Sequence, residues 1–351
     1  MLSAAETTRY SRQIMLPEIG VAGQEKLKAA KVLVVGAGGL GCPVLQYLAA
    51  AGVGTIGIAD GDRVEITNLQ RQVLYTEAET GLYKAEAARQ KIQSLNPHCD
   101  VKRHITFTGA HNISTLIAPY DIIVDGTDNF SSRYLLSDAC VIHGKPLVSG
   151  AVFKFEGQVS VFNYNHGPTY RCLFPQPPAD DDMPGCSDTG VMASLPGIVG
   201  TIQACEVIKI ITGTGDVLSG RLLVIDALTM QTHIFHFSAD DRNRDLRTLS
   251  AINHSCNTGV SYGALQQELA AGKDVLLIDV RDAEEHADFN IGGCNIPLTA
   301  LEAISIPVKE HSIVVYCASG VRSAKAMQIL HSKGFHNVRS LTGGIRHLQL
   351  S

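Results

Sequence analysis

The sequence predicts an α/β protein of two domains, the larger built on a mainly parallel sheet and the smaller a compact α/β unit. Three observations carry this. An apolar run at residues 31–35, a glycine-rich turn, an alanine-rich apolar segment and a second run at 55–60 give strand, turn, helix and strand in succession. The alternation recurs as far as residue 164. It starts again near residue 261, after a polar stretch. The 351 residues exceed one typical domain, and a composition 45% hydrophobic and 18% charged supplies enough core for two.

Taken in order, residues 31–35 read as a buried strand, and the helix after the glycines runs to about Gly52. Residues 121–125 read as another buried strand, followed by a helix over 131–143 and strands over 146–151 and 157–164. Residues 175–186 hold four prolines and three consecutive aspartates, which predicts a mobile surface crossover. The apolar stretch 191–211 is interrupted by Pro196, Gln203, Glu206 and Lys209, so it reads as a buried helix. A strand around 233–237 closes a first domain of residues 1–240. Residues 241–259 are polar, with no apolar period, and read as a linker. Residues 260–351 form the second domain, with strands at 275–280 and 312–316 and a helix at 323–331.

A net charge of −5 argues against nucleic acid as the main partner, and no segment reads as a membrane span. Residues 1–13 lack the basic start and apolar run of a signal peptide. Nine scattered cysteines, an odd count, do not read as a disulfide framework and point to a reducing cytoplasm.

The glycines Gly36, Gly38 and Gly41, with Gly39 between them, fit G-x-G-x-x-G in a strand–turn–helix context. Such a turn brings backbone N–H groups to a phosphate at a helix N-terminus. Asp60, at the end of the second strand, is placed to accept from ribose hydroxyls. The turn alone does not choose between NAD, FAD and ATP. Arg12, Asn68, Arg71 and Lys84 add donors suited to a triphosphate, and Asp128 could hold Mg²⁺. A nicotinamide or flavin oxidoreductase would need neither Arg71 nor Lys84. A non-catalytic scaffold that only docks another protein would not need Asp128.

The ordered set Arg9-Tyr10-Ser11-Arg12-Gln13, Gly36 to Gly41, Asp60, Thr67-Asn68-Leu69-Gln70-Arg71-Gln72, Lys84 and Asp125-Gly126-Thr127-Asp128-Asn129 resembles the adenylating domain of the ubiquitin-activating enzyme superfamily. It is most similar to the bacterial adenylyltransferases that activate molybdopterin-synthase and thiamine sulfur carriers. The resemblance implies a Rossmann-like adenylating domain. It also implies Mg-ATP adenylation of the C-terminal glycine of a ubiquitin-like sulfur carrier ending in Gly-Gly. Asp60 would take the ribose, Lys84 and Arg71 the phosphates and Asp128 the Mg²⁺. Asp62, Thr67, Asn68, Leu69, Gln70 and Asn129 would complete the cofactor-binding set. Arg12 would act as an arginine finger, lent by the second subunit of a homodimer. The chain ends Leu348-Gln349-Leu350-Ser351 and so does not read as the carrier itself.

Cys186 follows the crossover and is expected near a helix N-terminus, which favours a thiolate. By resemblance it attacks the acyl-adenylate or a carrier persulfide. Close relatives hold a structural zinc on two C-x-x-C pairs. Here Pro175 stands where the partner of Cys172 would be, and the later pair is missing, so no structural zinc is expected. His254 and Cys256 match no usual zinc spacing. Cys42, Cys99, Cys140 and Cys205 are expected in core packing.

In the second domain, Cys317-Ala318-Ser319-Gly320-Val321-Arg322-Ser323 lies between a strand and a helix. A cysteine there faces a ring of backbone N–H groups that stabilises a thiolate or persulfide, and Arg322 adds charge. The C-x₄-R spacing is one residue shorter than the C-x₅-R of cysteine phosphatases. With Leu277-Ile278-Asp279-Val280-Arg281 and Ile291-Gly292-Gly293-Cys294-Asn295-Ile296-Pro297, it resembles rhodanese sulfurtransferases. Asp279 and Arg281 are expected as a scaffold ion pair and Cys294 in packing. The sulfur donor would be thiosulfate or a cysteine desulfurase. An adenylyltransferase with an inert rhodanese domain is the narrower alternative.

Overall fold

A computed structural model describes residues 1–176, 190–244, 246, 248–249, 259–260, 262–301, 312–335, 337–341, 343–345 and 348. The chain divides into two compact units, Met1–His254 and Ser255–Ser351.

The first unit is built on one eight-stranded sheet in the order β3-β2-β1-β4-β5-β6-β7-β8. The strands are β1 (Lys31–Val35), β2 (Thr55–Ala59), β3 (Asp100–His104), β4 (Ile122–Asp125), β5 (Leu147–Phe153), β6 (Glu156–Phe162), β7 (Arg221–Asp226) and β8 (Gln231–His236). From β3 to β5 the pairs are parallel; from β5 to β8 they are antiparallel. Strands covered on both faces read as continuous apolar runs, as in β1 (KVLVV). Val32 and Val34 join the core beneath the helices Gly41–Ala51, Lys84–Leu95 and Leu195–Thr212. Leu33 and Val35 point the other way, towards the helices Ile113–Ile117 and Phe130–Ile142.

The β2 and β4–β6 expectations hold to within two residues at each end, and β8 lies at 231–236. β3 and β7 were not anticipated. β3 is an edge strand with a single buried residue, Val101, so it lacks an apolar period. Helix Gly41–Ala51 ends at Gly52, whose left-handed backbone (φ 89°) returns its N–H to the carbonyls of Leu48 and Ala49. Helix Leu195–Thr212 is long and apolar enough to cross a membrane by length and composition, but it packs in the first unit's core.

In the second unit, β9 (Gly259–Val260), β10 (Val275–Asp279), β11 (Cys294–Asn295), β12 (Ser312–Tyr316) and β13 (Val338–Leu341) form a parallel sheet ordered β11-β10-β12-β13-β9. Apolar clusters cover both faces, one built with the helix Val321–Ser332.

Candidate functional site

In the first unit the site begins at the turn after β1. Gly36 has φ 89°, and a Cβ there would meet the Gly126 carbonyl at 2.7 Å. A Cβ on Gly41 would stand 2.0 Å from the Gly36 carbonyl oxygen. The turn therefore closes tightly on itself and on the chain leaving β4. The Ala37 amide donates to Asp60 Oδ2 at 2.8 Å, and the Asp62 amide to Asp60 Oδ1 at 2.7 Å. Asp60 thus ties the turn to the end of β2. The Tyr75 hydroxyl donates to the Ala37 carbonyl at 2.8 Å from beneath; nothing in the sequence had marked it.

Lys84 opens the helix Lys84–Leu95, is buried, and reaches Asp62 Oδ2 at 3.2 Å. Burial works against its charge. The carboxylates of Asp60, Asp62 and Asp128 outweigh that and raise its pKa. Burial pushes the Asp60 carboxyl up, against the pull of Lys84 and the two amides.

Asn68 ends the short turn Ile66–Asn68, and its carbonyl accepts from the Arg71 and Gln72 amides. Thr67 and Gln70 are exposed on the same turn, and Leu69 packs on the core. Arg71 donates to the Thr67 carbonyl at 3.3 Å, and its Cγ lies 3.6 Å from where a Cβ on Gly39 would stand. Arg12 is exposed on the helix Ser11–Ile14, with no hydrogen bond or ion pair among the described residues.

Asp128 follows β4 and is exposed, with no hydrogen bond or ion pair among the described residues. Asn129 caps the helix Phe130–Ile142, its side-chain oxygen accepting from the Ser132 amide at 2.8 Å and the Ser131 hydroxyl at 2.9 Å. A cavity of about 540 Å³ opens beside Asp128, between that helix and strands β5 to β7. Asp125, buried beneath, accepts from Thr127 and Ser149, and burial raises its pKa. No group of three or more His, Cys, Asp or Glu side chains that could hold a metal occurs among the described residues.

Cys186 lies outside the described residues, as do His254 and Cys256. Cys172 caps a short turn. Its sulfur accepts from the Thr169 amide at 3.4 Å and the Asp240 amide at 3.2 Å. Cys42, Cys99 and Cys140 are buried, as expected. Cys205 and Cys294 are not: both are exposed, which corrects the packing expectation. Cys205 falls on the outward side of an apolar helix, and Cys294 lies on β11, which pairs on one side only among the described residues.

In the second unit Cys317 follows β12. Its sulfur accepts from the Gly320 amide at 3.1 Å and the Ser323 amide at 3.4 Å. The thiol is 1% exposed, yet it sits in an amide cradle and not only among apolar groups. Arg322 is bonded through both terminal nitrogens to Glu285, at 2.6 and 2.7 Å, so its charge reaches the loop already paired. Glu285 belongs to no motif that would mark it in advance. Arg281 and Asp279 form the expected buried pair, at 2.6 Å, and His286 Nδ1 joins Asp279 at 2.9 Å.

A glycine turn tied to carboxylates and a buried lysine defines a nucleotide-binding α/β protein, and a second unit holds the Cys317 sulfur in an amide cradle. The chain belongs to the ThiF family, which it matches over residues 10–248, and it carries a rhodanese-like domain over residues 261–350. It is 41% identical to the probable adenylyltransferase/sulfurtransferase MoeZ of Mycobacterium tuberculosis (strain CDC 1551 / Oshkosh), covering 98% of this chain and 93% of that protein. It is 39% identical to the adenylyltransferase and sulfurtransferase MOCS3 of Drosophila sechellia, covering 98% and 83%. The crystal structure of E. coli MccB with ATP shares the fold at a TM-score of 0.59, with 24% identity, over 66% of this chain and 72% of that one. A second, of MccB with MccA-N7isoASN, gives 0.62 at 22% identity, over 69% and 75%.

Proposed function

We propose that this chain is an adenylyltransferase and sulfurtransferase that uses ATP to activate the C-terminal glycine of a ubiquitin-like sulfur carrier and then converts that carboxylate to a thiocarboxylate. The observation that carries the reading is the Lys84 ammonium among Asp60, Asp62 and Asp128, at the mouth of the glycine turn. A carboxylate is a poor acyl donor. Its oxygen attacks the α-phosphorus, pyrophosphate leaves, and the acyl-adenylate gains AMP as a leaving group.

In this reading Gly36, Gly38, Gly39 and Gly41 bring amides to the nucleotide and Asp60 takes the ribose. Lys84, Arg71 and Asn68 meet the phosphates, with Asp62, Thr67, Leu69, Gln70 and Asn129 shaping the pocket. Asp128 holds Mg²⁺, an ion that needs only one or two carboxylates beside phosphate oxygens and water. Its exposed carboxylate, with no hydrogen bond or ion pair among the described residues, suits that task. The ion would neutralise phosphate charge. Arg12, exposed and with no ion pair among the described residues, would be available to a second subunit's site in a homodimer.

At the second centre, Cys317 accepts sulfane sulfur from thiosulfate or a cysteine desulfurase. The amides of Gly320 and Ser323 stabilise the persulfide anion. That anion attacks the acyl carbon and AMP leaves. A thiol, Cys186 in our reading, then cleaves the sulfur–sulfur bond, leaving a disulfide that a small thiol reduces. We read the chain as needing no structural zinc, since Pro175 stands where a partner of Cys172 would be and residues 240–250 hold no cysteine. We place the protein in the cytoplasm. Pyrophosphate exchange with labelled ATP in the presence of a Gly-Gly carrier tests the reading; no exchange with any such carrier refutes it.

A further inference from the structure

The cavity beside Asp128 contains a cation that the roles above leave unused. Arg133, one turn into the helix Phe130–Ile142, lines it and is 8% exposed. It is the only Lys, Arg or His among the described lining residues. One terminal nitrogen makes a long 3.4 Å hydrogen bond to the Thr127 carbonyl. The guanidinium lies 5.4 Å from the Phe130 ring centroid and contacts Tyr170, with Asp125 buried nearby. Its Nε is buried with no hydrogen-bond partner among the described residues. A buried donor without an acceptor is costly, and a guanidinium fork matches a carboxylate.

The rest of the lining is mostly apolar or uncharged, including Ala151, Val159, Phe162 and Leu222. The other charges are Asp128 and Glu156, which repel an incoming anion. A carboxylate can enter such a place only if a cation receives it. We propose that Arg133 determines specificity by receiving the terminal carboxylate of the carrier tail as the tail enters this cavity, ahead of its reaction at Asp128. This rests on the adenylation reading and deepens it.

The test uses the full chain and a ubiquitin-like carrier ending in Gly-Gly, made with either a free C-terminal carboxylate or a C-terminal carboxamide. The wild type is expected to bind the carboxylate form about tenfold more tightly, the worth of a charge-assisted hydrogen bond. Arg133→Gln should abolish that preference and leave carboxamide binding unchanged. A preference that survives Arg133→Gln overturns the proposal. So does an equal loss of both forms, which would mark Arg133 as only a support for Thr127 and Phe130. If Arg133→Gln does not fold, Arg133→Met decides: a lost preference supports the proposal and an undiminished one overturns it. Wild-type pyrophosphate exchange with the same carrier is the separate check on adenylation. Exchange without any Arg133-dependent preference sinks this proposal alone.

Discussion

The Cys317 sulfur accepts from the Gly320 amide at 3.1 Å, a contact that would favour an anionic sulfur at this position in the proposed sulfur transfer. Cys317→Ala is therefore expected to abolish persulfide loading while leaving carrier-dependent pyrophosphate exchange unchanged, because the nucleotide turn belongs to the other compact unit. Both are read on one preparation, by mass of the loaded protein and by isotope exchange. Loss of both activities would contradict two separable centres.

Asp128 offers the complementary case. Its carboxylate is exposed and has no protein partner among the described residues. Asp128→Asn should lower pyrophosphate exchange by about 100-fold or more, the scale for losing an electrostatic contact to developing charge. Its unfolding temperature should match the wild type's. A large fall in that temperature would mean the side chain is structural.

Two glycines in the same turn should behave differently. A Cβ on Gly41 would stand 2.0 Å from a backbone oxygen, whereas one on Gly38 would meet only the Gln72 side chain, at 3.5 Å. Gly41→Ala is expected to destabilise the first unit by about 1–3 kcal/mol, the usual result of overpacking. Gly38→Ala should keep its stability but weaken ATP binding. Denaturant unfolding and nucleotide titration of the two variants check this, and equal destabilisation would refute it.

The second unit should weaken in acid. Arg322 holds the Glu285 carboxyl at about 2, well below its ordinary 4.5, and Arg339 lowers Glu268 in the same direction. Because the folded values lie below the unfolded ones, the unfolded chain takes up protons first. The stabilisation is present above about pH 4.5 and is lost as pH falls towards 2. The protection of β10 and β12 amides in the full chain, taken relative to the intrinsic exchange rate at each pH, should fall across that window, and Glu285→Gln should flatten the change. A wild-type profile as flat as the variant's would count against it.

The cysteines divide by environment. Burial pushes the Cys42 and Cys99 thiols up to about 12, and Cys140 is raised too, while Cys205 and Cys294 are exposed. In the native protein a thiol reagent should label Cys205 and Cys294 well before those three, as peptide mapping can show. Early labelling of Cys42 would contradict the buried turn.

These contrasts mark what could be read from the sequence. Continuous apolar strands such as β1 and β4 announced themselves, and so did the glycine turn, whose residues have few substitutes. β3 was hidden because one buried valine among polar neighbours leaves no period. Arg133 and Glu285 were hidden for a different reason. Each is an ordinary charged residue whose importance comes from long-range placement: a cavity wall in one case, a partner 37 residues away in the other. Cys205 misled because an apolar helix gives no outward sign of which side faces solvent when its polar residues are few.

The measurement that bears most directly on the whole account is the intact mass of a Gly-Gly carrier after incubation with this protein, ATP, a sulfur donor and a small thiol reductant. The account predicts a gain equal to one oxygen replaced by one sulfur, dependent on both Asp128 and Cys317. A carrier that keeps its mass, or one that gains sulfur equally well without ATP, would contradict it.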